Sequence, residues 1–137
     1  MKETKEGVQT AYAALIQEVS PGEFLVATSE DEDIAQVPGG TLVWINETDY
    51  EVDLMFPSGL VMIAQTCTSG KYDVQLDPQG GNNPTETLTL CNDASPGSVL
   101  AYRVRVNGVD ADGPPSACLA ELVGELAGKK PRIIVRE

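Results

Sequence analysis

Alternation of apolar and polar residues is the dominant pattern of this chain. It is clearest over 50–56, where Tyr50, Val52, Leu54 and Phe56 occupy every second position. A period of two places these four side chains on one face of a β-strand. Weaker alternation or short apolar runs bounded by turn residues predict further strands, at 23–28, 34–37, 41–46, 60–64, 71–76, 85–90, 102–106 and 131–135.

The segment 8–19 fits two patterns. Its apolar residues recur at helical spacing, but Ala13, Leu15 and Gln17 also suit a strand. Because a run of strands follows, we predict a strand that begins near Tyr12 and ends at Ser20-Pro21-Gly22. Residues 1–7 are charged, and we expect them to be disordered.

One helix is predicted near the end of the chain. Leu119, Leu122, Val123 and Leu126 fall at positions i, i+3, i+4 and i+7, which lie on one face of a helix. Ser116 is placed to cap this short C-terminal helix, and Gly128 to end it.

Together these elements predict an all-β fold of roughly eight or nine short strands plus the one helix. Regular turn signals between short strands, such as Asn107-Gly108, are typical of a β-sandwich of two sheets. The single Trp44 is expected to fill the core between the sheets rather than to form an exposed aromatic platform. With 137 residues and no visible repeat, the chain is interpreted as one domain, 1–137.

The charge balance limits the partners. The formal net charge is −12, with 21 acidic and 9 basic residues, so electrostatic repulsion opposes binding to nucleic acid and to anionic membranes. No apolar run approaches the roughly 20 residues that span a bilayer, so no membrane insertion is expected. Four arginines are expected to balance nearby acids rather than to form a local basic stripe: Arg103, Arg105, Arg132 and Arg136.

Several of these segments resemble the cupredoxin-like family of Greek-key sandwiches, which is related in shape to immunoglobulin domains. The resemblance covers about residues 23–110 and 131–135, and an ordinary immunoglobulin-like sandwich would share several of its signals. The segments are the turn and strand Pro38-Gly39-Gly40-Thr41-x-Val43-Trp44-x-Asn46, the strand from Tyr50 to Phe56, Ser95-Pro96-Gly97-Ser98 followed by Tyr102-x-Val104-x-Val106, and the ending Pro131-x-Ile133-Ile134-Val135, which resembles small bacterial domains.

The resemblance implies a copper site that this chain lacks. Copper-binding members carry a histidine several residues after the Trp-x-Asn strand, where this chain has Tyr50, Glu51 and Val52. Their cysteine ligand ends the strand that corresponds to Tyr102–Val106, and Val106 stands there instead. A blue-copper centre needs two imidazoles and a thiolate, and the chain contains no histidine.

The cysteines leave an alternative open. Cys67, Cys91 and Cys118 are an odd number and fit no zinc spacing. Structural thiols are the default interpretation, and one disulfide is the alternative if the protein is exported. The charged N-terminus lacks a secretory signal, which favours the cytoplasm, whereas copper-binding relatives are mostly exported and a removed signal would place the chain outside it.

Without histidine, Ser-His-Asp and Cys-His catalysis are excluded, so no catalytic residue and no cofactor are predicted. The acidic loop 29–33 and the turn at 46–49 suggest calcium ligands instead, namely Glu30, Asp31, Asp33 and Asp49. Neither segment has the spacing of an EF-hand, and a solvated acidic loop that aids solubility is the preferred interpretation. Asn46-Glu47-Thr48 also fits a glycosylation acceptor.

We therefore expect a non-catalytic, metal-free β-sandwich that acts as a protein-interaction or accessory module with an unidentified protein partner. A calcium- or small-ligand-binding module is the alternative, and a small hydrolase the second alternative.

Overall fold

The computed structural model describes residues 11–28, 32–114 and 130–137, and every regular element in these ranges is a β-strand. The thirteen strands are β1 Ala11–Ser20, β2 Glu23–Ala27, β3 Ile34–Gln36, β4 Thr41–Asn46, β5 Val52–Phe56, β6 Val61–Ile63, β7 Thr66–Cys67, β8 Tyr72–Leu76, β9 Thr85–Leu90, β10 Val99–Ala101, β11 Arg103–Val106, β12 Val109–Asp110 and β13 Arg132–Val135.

The strands form three sheets. The largest has the order β2-β1-β4-β9-β6-β7, the second β12-β11-β5-β8 and the third β10-β13-β3. Pairing is antiparallel except for β1 with β4 and β3 with β13. The chain crosses repeatedly between the six-stranded and four-stranded sheets, at β4–β5, β5–β6, β7–β8 and β8–β9. The arrangement is therefore sandwich-like, and the all-β prediction is confirmed for the described residues.

An aromatic cluster joins the two larger sheets. Trp44 of β4 is fully buried, and its ring centroid lies 5.1 Å from that of Phe56 on β5. Tyr102 lies 5.5 Å from both rings. The prediction that Trp44 fills the core is confirmed.

The predicted inward face of 50–56 is also present. Val52, Leu54 and Phe56 are buried at 0%, 0% and 1% exposure. Tyr50 precedes the strand and is half-buried, and its ring meets that of Phe24 edge-on at 5.9 Å.

The N-terminal ambiguity resolves as a strand. β1 begins at Ala11 and ends at Ser20, close to the predicted bounds. It pairs with β2 over 15–20 along one edge and with β4 over 11–16 along the other, so strands flank it on both sides at Leu15 and Ile16. Ala14 and Ile16, two residues apart, are both buried.

The predicted strand number was too low. Three short strands lie where no strand was predicted: β7, β10 and β12. Runs of two or three residues are too short to show a period in the sequence. The turn at Asn107-Gly108 is confirmed, because both residues have positive φ (53° and 80°) and join β11 to β12. The predicted helix over 119–126 and the predicted disorder of 1–7 lie outside the described residues.

A close backbone contact fixes the start of β13. A Cβ atom on Gly113 would lie 2.6 Å from the carbonyl oxygen of Lys130 and 2.8 Å from Cα of Pro131. The segment around Asp112 in turn covers the edge of β2, since Val26 N–H donates to Asp112 O at 2.8 Å. Glycine at 113 thus allows the chain to hold Lys130 and β13 against the rest of the fold.

Candidate functional site

An open groove of about 390 Å³ lies against the four-stranded sheet. Met55 of β5 is flanked across the sheet by Arg103 of β11 and Asp73 of β8. Since Leu54 and Phe56 on either side of Met55 point into the core, these three residues occupy the opposite, outer face. We call this site the basic groove; its lining is Met55, Phe56, Pro57, Lys71, Asp73, Ala101, Tyr102, Arg103 and Lys130.

The basic groove gathers cations in an acidic protein. Three of the six cationic residues in the described ranges line it: Lys71, Arg103 and Lys130. Of the fifteen described acidic residues, only Asp73 does so. The local balance of charge is therefore the reverse of the chain's net charge of −12.

Arg103 is the most constrained of these cations. Its Nε donates to Asp110 Oδ1 at 3.0 Å and its Nη2 to Asp110 Oδ2 at 3.2 Å. The hydrogen bonds from Arg103 hold the pKa of the Asp110 carboxyl below its usual value. Arg105 Nε also lies 3.6 Å from Asp110 Oδ1. The expectation that arginines balance nearby acids is thus met on this sheet.

The floor of the groove is tied to the core through Tyr102. Trp44 Nε1 donates a hydrogen bond of 2.8 Å to Tyr102 Oη. Burial raises the pKa of the Tyr102 phenol well above its usual value, opposed in part by this hydrogen bond. Tyr102 is therefore a neutral, fixed part of the floor and is unsuited to act as a base at neutral pH.

A buried ion pair anchors the strand that follows Lys130. Arg132 and Asp33 are only 6% and 8% exposed, and Arg132 Nη2 lies 2.9 Å from Asp33 Oδ2. The same nitrogen donates to Pro114 O at 2.7 Å, while Nε and Nη1 have no hydrogen-bond partner among the described residues. Desolvation raises the pKa of Asp33, and the charge of Arg132 opposes that rise.

The predicted calcium ligands fall in different surroundings. Asp33 is buried against Arg132, and Asp49 is exposed, where Gln79 Nε2 donates to its Oδ1 at 3.4 Å. Glu30 and Asp31 lie outside the described ranges. Among the residues described, neither Asp33 nor Asp49 belongs to a cluster of three potential metal ligands.

Two of the three cysteines are paired with each other rather than free. Cys67 and Cys91 form a disulfide with Cα atoms 5.3 Å apart, so the default interpretation of structural thiols is wrong for these two. Their sulfurs lie near the Asp93 carboxylate, but disulfide sulfurs are not thiolate ligands. Cys118 lies outside the described ranges.

The cupredoxin resemblance aligns the segment Tyr50 to Val52 with the histidine ligand and Val106 with the cysteine ligand. Val52 and Val106 are directly paired between β5 and β11, and both are fully buried. Neither valine side chain offers a donor atom to a metal.

Asn46 has a structural role that is incompatible with its use as a glycosylation acceptor. The residue is 1% exposed, and its Nδ2 donates to Tyr50 O at 2.7 Å and to Asp77 O at 2.8 Å. Its Oδ1 accepts from Thr48 N at 2.9 Å. The side-chain amide nitrogen to which a glycan would be attached is thus buried and already engaged in hydrogen bonds.

Sequence reasoning missed most of the basic groove. Lys71, Lys130 and Met55 come from separate segments, and only the strand order β11-β5-β8 brings them together. One signal was present in the sequence. Lysines are so scarce in this acidic chain that each of them indicates a region of less negative local charge. No local pattern of residues places those lysines on one face.

The described residues contain no helix long and apolar enough to cross a membrane.

The chain matches no protein-family model, and a search of curated proteins finds no significant match to its sequence.

Proposed function

We propose that this protein is a non-catalytic, metal-free cupredoxin-like module that binds another protein through the basic groove. The observation that carries the proposal is the concentration of three cations over an apolar floor in one open groove of an acidic molecule. Concave sites with an apolar lining and a few polar groups are typical of binding surfaces.

The cupredoxin-like part of the proposal is supported by the buried Trp44 and by the alternation of the chain between facing sheets. The direct pairing of Val52 with Val106 supports it further. The resemblance assigns the cysteine ligand to Val106 and the histidine to the segment Tyr50 to Val52. Val106 lies beside Val52, although the two are 54 residues apart in the sequence (106 minus 52). The lack of histidine and the valine at 106 support a scaffold without copper.

The groove favours binding over catalysis. Hydrolysis by paired carboxylates needs two acids facing one substrate, and Asp73 is the one acid among the described residues of the lining. Tyr102 is held by Trp44 with a raised pKa, and the chain has no imidazole to act as a base. The lining is better suited to holding a partner than to transferring a proton.

The disulfide bears on the compartment. Bonds such as Cys67–Cys91 form and persist in oxidising surroundings and are rare in the cytosol. The bond therefore supports a module that works outside the reducing cytoplasm.

A steric block of the groove tests the proposed surface. Ala101 is exposed in the lining, so Ala101→Trp is expected to fill the groove without disturbing the core. Peptides selected from a displayed random library on the wild-type protein should lose binding to Ala101→Trp. The matched control is Thr87→Trp, because Thr87 is exposed on the six-stranded sheet and lies outside the groove. If the selected peptides bind all three proteins equally, or if none is enriched, the groove is not the contact surface.

Native mass spectrometry tests the absence of copper. After incubation with Cu(I) or Cu(II) and desalting, the protein is expected to retain no stoichiometric metal. One tightly held copper per chain would contradict the metal-free part of the proposal.

A further inference from the structure

We infer that the partner segment bound in the basic groove is acidic, with an apolar residue between Asp or Glu residues in an extended peptide. This inference rests on the proposed function and adds the chemistry of the partner. It follows from the charges of the lining, their placement on the sheet and the nature of the floor.

The charges come first. Lys71 and Lys130 are exposed and form no ion pair with another described residue, whereas Arg103 shares Asp110 with Arg105. Two ammonium groups are thus available at the groove, with a third cation partly neutralised. An unpaired cation attracts carboxylates and repels basic partners, which gives specificity at little cost in stability.

The placement of the cations sets the pattern of the peptide. β5 lies between β8 and β11, so Lys71 stands on one side of the floor formed by Met55 and Pro57. Arg103 and Lys130 stand on the other side. Neighbouring strands are about 4.8 Å apart, so the two sides are separated by about 10 Å before the flexible lysine stems are counted. In an extended peptide, side chains on one face recur about every 7 Å. A central apolar residue with acids two positions before and after it would therefore span the groove.

The floor distinguishes a peptide from a nucleic acid. Met55, Pro57 and Ala101 offer apolar surface that a phosphate backbone does not use. Nucleic-acid sites rely on many cations that neutralise successive phosphates. This protein has three at the groove and a net charge of −12 that opposes approach of a long polyanion. An acidic peptide with an apolar centre uses both features of the site.

Asp73 makes the inference more specific. It is the one acid that the described part of the chain contributes to the lining, is exposed, and lies opposite Met55 in the sheet. Its carboxylate should repel an acidic peptide. Neutralising Asp73 is therefore expected to strengthen binding, whereas neutralising a lysine should weaken it.

The test uses pools of synthetic, fluorescein-labelled peptides of about eight residues with one apolar residue at the centre. One pool has Asp or Glu two positions either side of it, a second has Asn or Gln there, and a third has Lys or Arg. Fluorescence anisotropy is measured on the folded, disulfide-bonded protein at low salt and at 0.5 M salt. A single-stranded oligonucleotide of similar length is the probe for nucleic acid.

The acidic pool is expected to bind best, by about fivefold or more over the neutral pool, and to weaken at high salt because exposed charges are screened. Lys71→Gln and Lys130→Gln should each weaken binding by about two- to fivefold, the range for an exposed ion pair. Asp73→Asn should strengthen it. Arg136→Gln removes an exposed positive charge outside the lining and should leave the affinity within about twofold.

The outcomes separate the two proposals. If the neutral or basic pool binds as tightly as the acidic one, and Ala101→Trp still abolishes that binding, the acidic partner is wrong and the interaction surface stands. If no pool binds, or if Ala101→Trp changes nothing, both proposals fail. Tighter binding of the oligonucleotide than of the acidic pool would overturn the inferred partner class.

Discussion

At the scale of single residues, Tyr102 connects the core of the protein to its surface groove. Its ring packs between Trp44 and Phe56, and its hydroxyl oxygen accepts the indole proton of Trp44. Burial strongly disfavours the tyrosinate, so the pKa of Tyr102 is raised. The neutral phenol is consequently the form of Tyr102 that the buried aromatic cluster requires.

This raised pKa predicts a loss of stability in alkali. Above the unfolded value of about 10, the unfolded chain releases the Tyr102 proton while the folded protein retains it. The free energy of unfolding should therefore fall as pH rises above about 10, by up to about 1.4 kcal/mol per pH unit from this residue. Urea unfolding between pH 8 and 11 measures the slope.

Tyr102→Phe is the matched control for that slope. It removes the titrating proton but leaves the buried Trp44 N–H without its acceptor, at a cost of about 1–3 kcal/mol at neutral pH. The variant should be less stable than wild type at pH 8, and the difference should narrow as pH rises. Parallel curves for the two proteins would show that Tyr102 does not contribute to the alkaline loss.

Some residue roles were predictable and others were not. Trp44 could be assigned to the core, because a large aromatic residue on an alternating strand has few other places in a sandwich. Asn46 and Asp33 could not, since both are polar and were interpreted by their motifs. Their burial follows from partners far along the chain, Asp77 and Arg132.

At the scale of elements, strands of five or more residues were predicted well because their alternation is long enough to recognise. Of the strands with two or three residues, β3 and β6 were predicted, whereas β7, β10 and β12 were missed, since tertiary pairing rather than local pattern defines them. The β6–β7 hairpin shows the difference. Its turn places Ala64 and Gln65 at positive φ (53° and 69°), which neither residue type favours, so no turn signal marked it.

The disulfide stabilises this part of the fold. It joins β7 to the residue after β9 across a separation of 24 positions. For a loop of that length, the lost entropy of the unfolded chain corresponds to about 3 kcal/mol. Replacing both Cys67 and Cys91 with serine should lower the free energy of unfolding by about this amount, as measured by urea denaturation.

Cys118→Ser is the control for that experiment, because it removes a cysteine that does not belong to the bond. A reducing agent should destabilise the wild type and Cys118→Ser alike and leave the double serine variant unchanged. Equal stability of the double variant and wild type without reductant would contradict the assigned bond.

At the scale of the whole molecule, the pair of Asp33 and Arg132 ties distant parts of the chain together. Asp33 immediately precedes β3, Arg132 begins β13, and Arg132 also binds Pro114 O. The pair thus fixes the parallel contact of β3 with β13, which no local signal in the sequence announces. Breaking a buried ion pair is costly, because the charge that remains is neither paired nor hydrated.

Removing one partner should therefore cost more than removing both. Arg132→Met leaves the Asp33 carboxylate uncompensated and is expected to lower the free energy of unfolding by about 3–5 kcal/mol at neutral pH. Asp33→Leu combined with Arg132→Met should recover much of that loss. Chemical denaturation of the single and double variants measures the difference.

The pKa of Asp33 also predicts how the destabilisation by Arg132→Met changes with pH. The pKa of Asp33 is raised in the folded protein, so the folded state holds this proton when the unfolded chain, with a pKa of about 3.9, has lost it. The penalty of Arg132→Met should shrink as pH falls, because Asp33 then becomes neutral. A penalty that stays constant from pH 7 to pH 4 would mean that the lost contacts of the arginine, rather than the stranded charge, destabilise the variant.

The basic groove also arises at the scale of the whole molecule, which is why no site was predicted there from the sequence. Each of its cations looks like an ordinary solvated residue in its own segment. The groove exists only because the order of strands places β8 and β11 on either side of β5, while Gly113 allows Lys130 to approach. Prediction from alternation finds strands, but it does not find the order in which they pair.

The covalent link between Cys67 and Cys91 has a practical consequence for anyone handling this protein. The segment it encloses includes the exposed turn at 79–83, a natural target for proteases. A chain cut there would remain one molecule, with both pieces joined through sulfur. A single band on a non-reducing gel therefore does not establish that the backbone is intact; only the reduced sample would reveal the nick.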